Sequence, residues 1–416
     1  MIQVLVIGAG PAGATAARVL ARAGVTVRLL DRSKFPRNKP CGGGISLRVL
    51  PRFPYLEQAL ARIPTHRVSR LYLEGPDGDS TVVHSRQPAA LMIRRVEFDA
   101  LLVSLAREAG AELIEGVDVV AAAQDANGVT VTSRDGRTFT GSVAIAADGV
   151  NSVVARRLGL NSGWPDTAIA LDMMEESPRQ TLRDVDPSTM WVAYGINGGP
   201  GYGYIFPKRD HVNVGIGYVL NHYRRSVDAH PYEVQRAFVG KLRGRGLVEG
   251  ESARTNFTPF LIPVGGPLRQ PGHGRVILAG DAGGFVNGFT AEGIYYAMVS
   301  GEHAARSVVE SVRDGVEGLA RRYRRAVDHE IGAELRDSVL IQRYLFADCR
   351  RIARVVAGAE RAPAITRLVL DFAVGGSSYR TLRRRVFAVA PLLAGRLLWE
   401  RLRTLMRPSA EAAGAA

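Results

Sequence analysis

Apolar positions along this chain follow two rhythms, and the places where one gives way to the other mark out its organisation. Gln3–Ile7 is an apolar run leading straight into glycines, which predicts a buried strand. Ala12–Ala23 carries small and apolar residues at helical spacing and stops at Gly24, and Val25–Leu30 is a second buried strand. Pro11 in the first turn and Gly24 past the last show the terminal asymmetry of a helix. Phe98, Leu101, Leu102 and Leu105 recur at helical spacing and predict an amphipathic helix over Arg95–Ala109. Asp77-Gly78 predicts a hairpin between strands near Arg67–Leu73 and Thr81–Ser85. Asn127-Gly128 and Asp135-Gly136 separate further short strands within 112–147.

Between about 160 and 265 the period drops to two, with more glycine, proline and aromatic residues. Met190–Tyr194, Tyr202–Phe206 and Val212–Tyr218 alternate and predict an antiparallel sheet. Arg275–Ala279 is again a buried strand, a long helix is expected from about Ala291 to Arg313, and the chain from Arg321 onward reads as helical.

Composition narrows this only in places. A chain of 416 residues exceeds what one hydrophobic core serves, so two or three packed units are expected. The two cysteines, Cys41 and Cys349, make no disulfide framework, and no Cys/His spacing suggests a zinc site; a reducing cytoplasm is the expected setting. Val386–Trp399 comes nearest to a membrane span but contains Pro391 and Arg396, well short of the ~18–20 uninterrupted apolar residues a span needs. The net charge of +14 is uneven: from Arg321 on there are 19 arginines against 9 acids. That cluster suits anionic lipid, an acidic protein or a solvated surface. No nucleic-acid motif accompanies it, and nucleic acid is set aside.

The first chemistry-bearing segment is Gly8-Ala9-Gly10-Pro11-Ala12-Gly13, a G-x-G-x-x-G between a strand and a helix. Gly8 permits the tight turn, Gly10 lets backbone approach a pyrophosphate, and Gly13 permits close helix–strand packing. The helix N-terminus offers free amides to the phosphates, and Asp31 ends the next strand, where it can accept from ribose hydroxyls. Gly280-Asp281, closing the 275–279 strand, is read as a second contact to the same cofactor: one carboxylate against a sugar-alcohol chain, with the Glu292-Gly293-Ile294 helix start facing a developing anion such as a reduced flavin ring. As plain structure, Asp281 would be a helix cap. Ala147-Asp148-Gly149 is a strand-end turn in its own right.

These patterns predict an α/β chain with a β-rich second unit. A Rossmann-like, discontinuous FAD-binding domain takes 1–160 and 270–320, an antiparallel-sheet substrate domain takes 161–269 with a hairpin at 66–92 contributing to it, and C-terminal helices form a basic region at 321–416.

Gly8–Gly13, Asp148-Gly149 and Gly280-Asp281, in this order, resemble the three cofactor motifs of the p-hydroxybenzoate-hydroxylase-like flavoproteins, and Arg95 matches the arginine those proteins place at a helix start beside the cofactor. Lys39-Pro40-Cys41-Gly42-Gly43 resembles a segment of the geranylgeranyl reductase family, as do Gly203–Lys208, Phe289–Ile294 and Tyr379–Arg385. The resemblance spans about residues 1–390. It implies FAD, with Gly8, Gly10, Ala12, Gly13, Asp31, Arg32, Cys41, Gly42, Arg95, Asp148, Asp281, Gly293 and Ile294 around it. It also implies Cys41, Tyr204 and Phe206 at the reacting centre. Without it, Cys41 reads as a small buried apolar residue, and Tyr204 and Phe206, on one side of a strand, read equally as core.

Members of that family saturate carbon–carbon double bonds of prenyl chains. An isolated trisubstituted alkene accepts hydride poorly, so protonation toward a tertiary cation with hydride from the flavin is the easier course, and it needs a proton source and a dry pocket. The implied substrate is a greasy prenyl chain, and the electron donor NADPH or reduced ferredoxin, since no second glycine-rich fingerprint is present. The basic C-terminal region suits an acidic ferredoxin or a phosphate-bearing cofactor equally. Val386–Met406, with Leu, Trp and Arg at helical spacing, reads equally as a helix on a bilayer surface or one packed against the body. Three positions depart from the family: Gly288 replaces a proline, Ala291 a glycine and Tyr204 a tryptophan. The alternative on the same scaffold is an FAD-dependent monooxygenase or halogenase acting on an aromatic or natural product, and halogenation is disfavoured because Gly203–Lys208 lacks the Trp-x-Trp-x-Ile-Pro pattern. A non-enzymatic flavin sensor is a third reading, disfavoured by the Cys41 loop and the Glu292 helix start.

Overall fold

Buried apolar strands that are separated in sequence come together in one sheet. The computed structural model describes residues 3–388 apart from 86, 179–180, 183–185, 362 and 374–375. Its six-stranded sheet runs in the order Gly272–His273, Val276–Leu278, Val143–Ala146, Gln3–Ile7, Thr26–Asp31, Glu112–Glu115. All pairings are parallel except the edge pair Gly272–His273 with Val276–Leu278. The near-continuous burial of Val4–Ile7, Val143–Ala146 and Val276–Leu278 is what a parallel sheet covered on both faces requires. The helix Pro11–Arg22 leaves the first strand and lies against the long helix Ile294–Asp314. A side chain at Gly301 would sit 2.2 Å from the Ala12 carbonyl oxygen, so the two helices touch backbone to backbone there.

The long helix starts at Ile294 rather than near Ala291, because Ala291 holds a left-handed backbone with φ 56. That conformation is the one glycine adopts freely and an alanine adopts under strain.

The seven-stranded sheet has the order Phe257–Ile262, Ala170–Pro178, His211–Val219, Gly201–Pro207, Thr189–Tyr194, Arg70–Glu74, Ser80–His84. It is antiparallel except where Thr189–Tyr194 runs parallel to Arg70–Glu74, which carries the early hairpin onto the sheet's edge. Strand alternation gives it two distinct faces. Met173, Trp191, Ile205 and Ile216 belong to a core shared with the helix Pro231–Gly244. Asp172, Tyr202, Tyr204 and Phe206 occupy the other face, toward the Cys41 loop.

Beyond the long helix the described chain is helical: Leu319–Val327, a π-turn at Asp328–Gly332, Ala333–Phe346, Cys349–Arg361 and Pro363–Ala373. Leu345, Ile352 and Val356 pack on Leu73, Tyr194, Phe289 and Phe346, closing one end of the second sheet's inner face. No helix among the described residues is long and apolar enough to cross a membrane. Most of Val386–Met406 lies outside the described residues.

Candidate functional site

The turn after the first strand is shaped by what its glycines lack. Gly8 has φ +94, and a Cβ there would lie 2.3 Å from the Ala147 oxygen; a Cβ on Gly13 would lie 1.8 Å from the oxygen of Gly8. The Asp148-Gly149 turn is thereby pressed against the first glycine of the fingerprint. At Gly10 the space is open, the nearest group being the Arg37 Nη2 at 3.8 Å. No side chain caps the Pro11–Arg22 helix, so the amides of its first turn, Ala12 and Gly13 among them, face that opening.

Asp31 braces this turn: its Oδ2 accepts from the Ala9 amide at 2.7 Å and its Oδ1 from Ser33 at 2.8 Å. Arg32 beside it is exposed. The Asp148 Oδ2 accepts from Val153 and Val154 at 2.8 and 3.2 Å, heading the short helix Val153–Arg157. Its Oδ1 is buried without a partner, and burial pushes the carboxyl pKa up. Asp281 lies 3.6 Å from the Lys39 Nζ and faces Gly293, where the uncapped helix Ile294–Asp314 begins. Asp281, Gly293 and Ile294 thus meet beside the loop that carries Cys41.

A chain of ion pairs joins that loop to the fingerprint. Arg95 donates to Asp99 at 2.6 and 2.7 Å, both groups essentially without solvent contact. Arg37 Nη1 lies 3.0 Å from the same carboxylate, off-line for a hydrogen bond, so the contact is an ion pair. Burial works against the Arg95 charge, but Asp99 and the Cys41 side chain outweigh it and raise its pKa. The Cys41 Sγ also accepts from the Gly43 amide at 3.4 Å.

Across the loop stands the inner face of the second sheet. Tyr204 and Phe206 lie 4.5 Å apart, and a Cβ on Gly42 would come within 3.0 Å of the Phe206 ring and 3.5 Å of the Tyr204 ring. Ile205 faces the opposite core. Tyr202 lies 6.1 Å from Tyr204 and donates from its hydroxyl to the Thr290 carbonyl at 2.8 Å; Tyr194 stacks on Phe289 at 5.6 Å. The Tyr204 ring passes over Gly215, where a Cβ would be only 2.4 Å away, and its hydroxyl reaches Asp172 at 3.2 Å. Burial pushes the Asp172 carboxyl up to about 7. Gly288 donates to the Ser338 Oγ at 2.8 Å, a bond that a proline would forfeit.

Sequence reasoning named Cys41, Gly42, Arg95, Tyr204 and Phe206, and the structure gathers them at one loop. It missed Arg37, Lys39, Asp99, Tyr202 and Asp172. Asp99 stands one helical turn after Arg95, a readable i,i+4 pair. Asp172 had one signal, a lone acid in the apolar run Ala170–Met174.

The open cradle at Gly10, the uncapped helix starts and the unpartnered Asp148 oxygen fit a bound dinucleotide. Residues 1–329 match the FAD binding domain family. The chain is 32% identical over 348 residues to the chloroplastic geranylgeranyl diphosphate reductase of Oryza sativa, covering 77% of this chain and 70% of that protein. It is 30% identical over 320 residues to the menaquinone reductase of Mycobacterium tuberculosis, covering 73% and 75%. In fold it is similar to a geranylgeranyl bacteriochlorophyll reductase-like protein from Thermoplasma acidophilum (TM-score 0.77, 21% identity, 93% of this chain and 99% of that one). It is also similar to a flavin-dependent brominase (TM-score 0.70, 17% identity, 94% and 99%). The cradle and these likenesses together define an FAD-binding oxidoreductase. Within that class the chain belongs to the geranylgeranyl reductase family.

Proposed function

We propose that this oxidoreductase saturates carbon–carbon double bonds of a prenyl chain of the geranylgeranyl type. The observation that carries the reading is the run of aromatic rings Phe206, Tyr204, Tyr202, Tyr194 and Phe289, whose Phe206–Tyr204 end stands against Gly42 of the Cys41 loop. Such a wall takes up an extended apolar chain and keeps water from the reacting carbons. The residues around Gly10, Arg95, Asp148 and Asp281 would hold FAD, which would supply the hydride after reduction by NADPH or ferredoxin. Arg95 and Cys41 would hold the edge of the loop beside it, and the uncapped start of the Ile294–Asp314 helix would offer its amides to a negatively charged reduced ring.

A route for a greasy substrate is suggested by the helix Ala333–Phe346. Phe346 packs on Phe289 and Tyr194 inside, while Leu340, Ile341 and Tyr344 are exposed outside, with Arg343, Arg350 and Arg354 beside them. Apolar side chains ringed by arginines suit an anionic lipid surface from which the chain is drawn.

The test is to reduce the flavoprotein anaerobically, add geranylgeranyl diphosphate and follow flavin reoxidation and product mass. Reoxidation without oxygen, with products heavier by pairs of hydrogens, is the expected result. Reoxidation only in air, with one oxygen added to an aromatic compound, makes the enzyme a monooxygenase instead.

A further inference from the structure

Saturating an alkene consumes a proton as well as a hydride, and on the inner face of the second sheet, among the described residues, Asp172 is a buried acid with no ion-pair partner. Glu175, the other buried acid of its strand without one, points to the opposite face and is held by Ser252 and Ala253. Asp99 faces Arg95 and Arg37; Glu334 faces Arg48; Glu302 faces Arg52 and Arg306; Glu176 faces Lys208 and Arg94. Asp172, only 7% exposed, has the Tyr204 hydroxyl at 3.2 and 3.4 Å from its two oxygens and its own strand's backbone at Met173. Among the described residues, the titratable groups around this pair are Tyr202, from the same strand as Tyr204, and Cys41 from the loop opposite. The strand on Asp172's other side presents Phe260, and the one between presents Gly217.

Two features make this arrangement more than a satisfied polar contact. Gly215 leaves the space that lets the Tyr204 ring lean across its neighbouring strand, and Gly217 keeps the carboxyl uncovered by a side chain. Tyr204 has one ring edge against the Gly42 position and its hydroxyl on Asp172, so it bridges the acid and the loop at the reacting centre.

We propose that Asp172 and Tyr204 form the proton relay for alkene saturation. This rests on the prenyl-reductase reading. In the step, the Tyr204 O–H bond breaks as a C–H bond forms on one alkene carbon, and the other carbon takes the hydride from the reduced flavin. The Asp172 proton passes to the Tyr204 oxygen, so no tyrosinate accumulates, and the resulting carboxylate is reprotonated from solvent before the next turnover. The acid is available because burial holds Asp172 protonated up to about 7. The rate of the step is therefore present at lower pH and lost as pH rises through that value.

Two measurements test the relay. Infrared titration of the wild-type protein and of Asp172→Asn, without substrate, shows a protonated carboxyl band with a midpoint near neutrality that the variant lacks. A band that is absent at all neutral pH values overturns the relay. Single-turnover reoxidation with geranylgeranyl diphosphate is then expected to slow by about 10²–10⁴-fold in Asp172→Asn and in Tyr204→Phe, the range for a lost general acid. The falling limb of the wild-type pH profile disappears in both. Tyr204→Phe keeps the ring and serves where Asp172→Asn folds poorly. If wild-type enzyme fails to reoxidise with the prenyl probe, the prenyl reading falls; if it reoxidises and both variants match it in rate and pH profile, only the relay falls.

Discussion

On the cofactor side of the Cys41 loop, Arg37, Arg95 and Asp99 compensate one another, and the turn beside them is fixed by glycines whose missing side chains would strike backbone. On the sheet side, a few ångströms across Gly42, the walls are aromatic rings, and the buried acid Asp172 meets a tyrosine in place of a cation. The first region is built to hold a charged cofactor in one place, and its geometry tolerates no substitution at the points of closest approach. The second is apolar, and its burial raises the pKa of the Asp172 carboxyl to about 7. Under the proposed function, the contrast separates the part that binds flavin from the part that would select a substrate.

The largest effect that would break the comparison lies at the fingerprint. Gly13→Ala puts a methyl group 1.8 Å from the Gly8 oxygen, and backbone cannot yield cheaply there. The purified variant is expected to have lost its flavin absorbance. Arg95→Ala comes next, because it leaves Asp99 buried against Arg37 alone. It should cost about 3–5 kcal/mol in urea unfolding, and replacing both Arg95 and Asp99 by apolar residues of similar volume should cost less than the single change. A double variant as unstable as Arg95→Ala would mean that packing, rather than charge, holds the helix start.

Asp172 should behave in the opposite way. Its unfolded carboxyl ionises near 3.8, whereas the folded one stays protonated to about 7. The native state thus binds more protons between these values, and stability falls as pH rises through that window, then levels off. Asp172→Asn should remove this loss, gaining roughly 2–4 kcal/mol relative to wild type at mildly alkaline pH and little in acid, as read by thermal melts. A variant that is more stable yet slower in turnover would sharpen the contrast between the two sides. The smallest effect concerns the loop that joins them: Ala291→Gly relieves the φ of 56 and is expected to stabilise by about 1 kcal/mol.

Legibility in the sequence follows the same division. The parallel sheet and its fingerprint could be read because backbone geometry demands particular residues: glycine where φ is positive or a carbonyl is close, apolar runs where both faces are covered. The second sheet's alternation was readable too, down to Tyr204 and Phe206 sharing a face with Ile205 turned away. The start of the long helix was placed about three residues early, because Ala291 looks like a helix former and its left-handed backbone is imposed by the loop. Asp172 escaped because its meaning depends on register. Only the pairing of Leu171–Met174 with Gly215–Tyr218, and of that strand with Gly201–Pro207, carries the acid to a tyrosine 32 residues away.

The six-stranded sheet draws its strands from residues 3–31, 112–146 and 272–278, with the whole seven-stranded sheet's later strands inserted before the last of these. During synthesis, therefore, the first strand and its glycine turn leave the ribosome long before Val276–Leu278 exists to pair with Val143–Ala146. The helix Ile294–Asp314 that backs the turn emerges later still. Cofactor capture must wait for some three-quarters of the chain, and nascent chains arrested before that point would emerge without bound flavin.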